Sequence, residues 1–136
     1  MRPLAQIEAQ LEEFRPQADP HAGARLLLDL SEEVLEHWVA ANGDTPTDDQ
    51  KEGFRLLALQ RQGARGIPSF NACRESCREI VYHYNFLVGD HDPATVARTQ
   101  RMMNLLAKHL FLFVSGKMQV EGLGEFCCAA RPLRVE

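Results

Sequence analysis

DPHAGARLLLDLSEEVLEHWVAANG, residues 19–43, is the stretch on which the fold turns. Asp19 followed by Pro20 reads as an N-cap acid with proline at the first helical position, where the missing N–H loses no bond. Beyond it, Leu27, Leu30, Val34, Leu35 and Trp38 gather on one face, while Arg25, Asp29, Glu32, Glu33 and Glu36 gather on the other. That is the amphipathic stripe of a surface helix with a period of about 3.6 residues, and Asn42-Gly43 supplies the stop. A helix over 20–41 follows.

The same logic carries outward in both directions. Upstream, Leu4, Ile7, Leu11 and Phe14 recur at alternating spacings of three and four between Pro3 and Pro16, which predicts a short helix over 3–15. Downstream, Thr47, Asp48, Asp49 and Gln50 resemble a capping box and lead into Phe54, Leu56, Leu57 and Leu59, predicting a helix over 48–62 that stops near Gly63. After a connector ending at Pro68, a fourth helix is expected over 69–88, with Phe70, Cys73, Cys77, Ile80, Val81, Tyr84, Leu87 and Val88 on one face. Asp92-Pro93 repeats the start signal, and a fifth helix is expected over 93–115 with Gly116 just past its end.

The tail over 117–136 changes character. Met118, Val120, Gly122, Gly124 and the run from Phe126 to Ala130 read as an extended strap or hairpin limited by Pro132. The fold class is therefore all-α: a five-helix antiparallel bundle-like single domain over 1–136 with a short extended or hairpin C-terminal tail. A chain of 136 residues with 45% hydrophobic content has enough apolar side chains for one core.

The fifth helix is apolar around most of its circumference. Met102, Met103, Leu106, Leu110, Phe113 and Val114 cover a wide arc, Leu105 and Leu112 form a second strip, and Arg101, Asn104 and Lys108 leave a narrow polar face. Such a helix is buried on two sides. Either it is central to the cluster, or its extra strip meets the first helix through Leu4 and Leu11, the tail, or another chain. A homodimer is expected, with Leu105, Leu112, Leu4 and Leu11 as interface candidates and a further protein partner possible.

The net charge of −4 is unevenly placed, with −8 over residues 1–52 and +4 over 53–136. Oppositely charged neighbouring helices explain this, and so does a basic face offered to an anion. Arg74 and Arg78 share one flank of the fourth helix and are the anion-binding candidates, extended by Asn85, with Arg61, Arg65, Arg98 and Arg101 on elements able to converge there. Glu75 and Glu79 beside them favour a salt-bridge ladder instead. The overall acidity argues against nucleic acid, and no stretch is long and apolar enough for a membrane span. The first residues carry no leader-like apolar run, so a cytoplasmic location is expected.

Chemistry is sparse. Cys73 and Cys77 stand four apart on one helix face, and Cys127 with Cys128 completes a four-thiolate set for zinc or another metal. The mid-helix placement inside an apolar stripe favours core packing of reduced thiols, so no cofactor is expected while zinc stays open. Glu33 with His37 and Glu79 with His83 are one residue too widely spaced for a di-iron motif, which uses Glu-x-x-His. His109 is expected half-buried at the edge between apolar strips, and His91 sits in a tight turn between Asp90 and Asp92. No GxGxxG, P-loop or GxSxG motif occurs. The expectation is a non-catalytic helical interaction protein, an accessory, assembly or adaptor subunit. The alternative is a metal- or thiol-based ligand-sensing protein that uses its cysteines, with an enzyme third.

Overall fold

The Asp19 carboxylate accepts the His21 N–H at 3.0 Å, and from this cap the chain of the computed structural model, which describes residues 1–123, enters its central helix. The elements are α1 (Leu4–Glu13), α2 (Pro20–Ala41), α3 (Arg55–Ala64), a 3-10 segment (Pro68–Cys73), α4 (Arg74–Leu87) and α5 (Pro93–Val120). The described residues are 73% helical and include no strand, about twice the helix of an average domain, and the class is all-α.

α2 and α5 make the largest contact, α4 packs on both, α3 lies on α2 and α4, and α1 bridges α2 and α5. Trp38 and Phe70 anchor the core, stacked with ring centroids 4.5 Å apart and 4° between planes. The Trp38 indole Nε1 donates to the Gly63 carbonyl at 3.0 Å, so this buried N–H is satisfied. A second anchor is polar. Gln100 on α5 is wholly buried; its Oε1 accepts the Gln17 N–H at 2.8 Å and its Nε2 donates to the Gln17 carbonyl at 2.9 Å. Gly23 on α2 makes room for it, since a Cβ there would overlap the Gln100 carboxamide.

The structure departs from the expected boundaries in four places. First, α3 begins at Arg55 rather than near 48. Thr47 Oγ1 accepts the Asp49 N–H at 3.0 Å in a local turn, the use of a short hydroxyl side chain that competes with helix capping. Lys51 and Phe54 then exchange two backbone hydrogen bonds of 3.0 Å across a reversal in which Glu52 and Gly53 have φ of 55° and 86°. Second, Gly63 lies inside α3, and Gly66, at φ 75°, makes the turn instead. Third, residues 68–73 form a 3-10 segment rather than the first turns of the fourth helix.

Fourth, α5 does not stop at Ser115. It continues to Val120 and closes with Gly122 at φ 70°, where the Leu123 N–H reaches the Met118 carbonyl at 2.8 Å and the Gly122 N–H reaches Gln119 at 3.2 Å. This is the paired bonding of a Schellman motif. The start of the expected extended tail is thus helix, and residues 124–136, including most of the expected hairpin, lie outside the described residues.

Candidate functional site

α5 buries most of its wide apolar arc, with Met103, Leu110 and Val114 in the core, and turns its second apolar strip to solvent. Met102, Leu105 and Leu112 are 48%, 56% and 65% exposed, whereas Asn104 and Lys108 on the expected polar side are half-buried. Lys108 faces α1, where its Nζ lies 3.5 Å from Glu12. His109 is exposed on the apolar strip rather than half-buried at its edge. The four interface candidates separate: Leu105 and Leu112 lie open on the surface, Leu11 is 1% exposed in the chain's own core, and Leu4 packs against that core. α1 therefore covers other apolar surface and leaves the strip bare.

Cys73 and Cys77 are buried free thiols, 2% and 0% exposed. Cys73 Sγ donates to the Phe70 carbonyl at 3.2 Å. The neighbouring Cys77 S–H, aided by Gln60, holds the Cys73 thiol below the ordinary thiol range. Cys77 is pushed up by Cys73 and by burial. Among the described residues no three His, Cys, Asp or Glu side chains gather as a metal site requires, and Cys127 and Cys128 lie outside those residues. Both Glu-His pairs are used locally. Glu33 pairs with Arg2 at 2.6 Å while His37 Nε2 bonds the Arg2 carbonyl at 2.6 Å, and His83 Nδ1 bonds the Glu79 carbonyl at 2.7 Å. His91 stacks on Phe86 at 3.8 Å and bonds its carbonyl.

The basic residues divide. Arg55, half-buried between α2 and α3, meets Glu36 at 2.8 Å, Asp48 at 3.7 Å and Glu32 at 3.9 Å. Arg78 pairs with Glu52 at 3.2 Å and lines a cleft with Glu75 and Glu79. Arg74, its expected companion, faces elsewhere. It joins Arg61 and Arg65 at the end of α3 and Lys51 of the preceding turn around a cleft of about 430 Å³ whose other walls are Gln60, Ala64 and Asn71. Arg98 and Arg101 on α5 take no part in it. Lys51 escaped the sequence reading because a helix over 48–62 places it on a regular turn; only the reversal at Glu52-Gly53 brings it alongside α3.

Among the described residues no helix is long and apolar enough to cross a membrane. Comparison with protein-family models, with curated proteins and with solved structures finds no match.

Proposed function

We propose that the chain is a non-catalytic helical interaction protein, an accessory, assembly or adaptor subunit that pairs with a second copy of itself through the solvent face of α5. In this reading residues 1–136 form one antiparallel helical bundle working in the cytoplasm. The observation that carries it is the exposure of Met102, Leu105 and Leu112 on the longest helix, because a contiguous bare apolar strip marks an interaction surface.

The spacing supports a self-complementary seam. Positions 102, 105, 109 and 112 alternate by three and four, the pattern that keeps one helical stripe facing a partner. An antiparallel pairing about a twofold axis between Lys108 and His109 sets Leu105 against the partner's Leu112 and Leu112 against the partner's Leu105, so the two leucines of each chain cover each other. The thiol- or metal-sensing alternative rests, among the described residues, on Cys73 and Cys77 alone, and both are enclosed.

Sedimentation of the purified chain is expected to show a dimer at micromolar concentration. Changing Leu105 and Leu112 together to Glu is expected to give a folded monomer, since four carboxylates would have to be desolvated at the seam. A wild-type protein that stays monomeric overturns the reading, and so does a doubly changed protein that remains dimeric.

A further inference from the structure

We propose that the cleft bounded by Lys51, Arg61, Arg65 and Arg74 binds a small ligand carrying two or more phosphate groups. The site is independent of the α5 seam. Its first support is charge left unneutralised. Among the described residues none of the four cleft cations lies within 4.0 Å of a carboxylate; Arg15, Arg98 and Arg101 are unpaired too, but they stand apart, and only these four converge on one cleft. No carboxylate lines this cleft, and Asp49 lines the adjoining pocket that shares Lys51, Arg61 and Arg65 without pairing with any of them. In a chain of net charge −4, this is a local concentration of positive charge, and mutual repulsion opposes it unless an anion shares the space.

The second support is the way the backbone holds those charges. Arg61 and Arg65 stand four apart at the end of α3, so both reach from one face. Arg61 lies in the last turn of α3, where the helix dipole favours a cation. Arg74 has the opposite setting. It is the first residue of α4, directly after the 3-10 segment, and its N–H is taken by the Asn71 carbonyl, so no helix C-terminus offsets its charge as one does for Arg61. The cleft wall also carries Gln60, only 5% exposed, whose Nε2 makes two long contacts of 3.5 and 3.4 Å to the Phe70 carbonyl and Asn71 Oδ1. Those contacts and the Cys73 thiol occupy the Gln60 amide, so the charge offered to a ligand comes from the four cations.

The ligand class follows from the fit. Four cations around about 430 Å³ suit several negative charges held close together, and guanidinium forks match phosphate oxygens in pairs. An acidic peptide spreads its carboxylates along an extended chain at about 3.3 Å per residue. A nucleic acid needs a track of cations along its backbone, and Arg98 and Arg101 stand apart from this cleft. A compact polyphosphate group meets the geometry.

Calorimetric titration of the full chain with sodium pyrophosphate at about 0.05 M salt, where screening is weak, is expected to give saturable binding at one site per chain. Orthophosphate should bind about tenfold more weakly, having less charge to place. Arg61→Gln with Arg65→Gln should weaken pyrophosphate by about tenfold or more, whereas Arg15→Gln with Arg98→Gln, which removes equal charge elsewhere, should leave it within about twofold. ADP binding as tightly as pyrophosphate would support the site with a nucleotide as the source; ADP binding more weakly would support it with a non-nucleotide diphosphate. If circular dichroism shows that the α3 variant does not fold, Lys51→Gln with Arg74→Gln carries the same expectation. Absence of saturable binding, or equal losses in the cleft and control variants, overturns the proposal.

Discussion

A methyl group on Gly63 would sit 2.7 Å from Trp38 Cδ1 and 2.8 Å from Phe70 Cε2, the two rings that stack at the centre of the core. Read along the sequence, this glycine looks like a helix stop. In space it is a contact, and the close approach also lets its carbonyl receive the Trp38 N–H. Gly63→Ala is therefore expected to destabilise the protein by about 2 kcal/mol through overpacking, despite a helix-propensity gain of about 1 kcal/mol. Urea denaturation checks this, and a raised midpoint would mean that the rings part without strain. A similar misreading hides Lys51: the left-handed Glu52 and Gly53 that redirect it are legible only as a glycine inside an otherwise plausible helix.

At the level of elements, the hydrophobic period locates α2 and most of α5 because their apolar faces are long and unambiguous. It fails at ends, where several glycines compete to be the stop. Gly116 and Gly122 are equivalent signals in one dimension, and only Gly122 adopts positive φ. Gly116 is ordinary helix, and a Cβ there meets nothing within 4 Å. Gly116→Ala is thus expected to stabilise the fold by about 0.5–1 kcal/mol, seen as a raised urea midpoint at matched protein concentration. Had the helix ended at Ser115 with a left-handed Gly116, the same change would lower it. Periodicity also leaves open which side of an all-round apolar helix faces water. α5 has α1 against Lys108 and leaves Leu105 and Leu112 bare, an outcome decided by how the helices pack and not by the helix's own pattern.

For the whole molecule, the charge asymmetry between the two halves resolves into two arrangements that a count cannot separate. The acidic face of α2 takes Arg55 into a shared network, while Arg61, Arg65 and Arg74 gather with Lys51 around a cleft without acids. Arg74 is legible as a basic residue, but its parting from Arg78 depends on how the turn at Lys51, α3 and the start of α4, which follow one another in the chain, fold back to enclose one cleft. The Gln17–Gln100 pairing is equally invisible in the sequence, since glutamine on an apolar helix gives no sign of a partner 83 positions away. It makes one backbone proton a clock for the N-terminal segment. The Gln17 N–H is held by a buried side chain of α5, so it exchanges with solvent only when that grip opens. In deuterated buffer it is expected to exchange as slowly as the amides of Leu30 and Trp38, recording that α1 leaves only when the core does. Exchange as fast as that of Ala18, an exposed neighbour, would instead record a first helix that lifts away while the remaining helices stay folded.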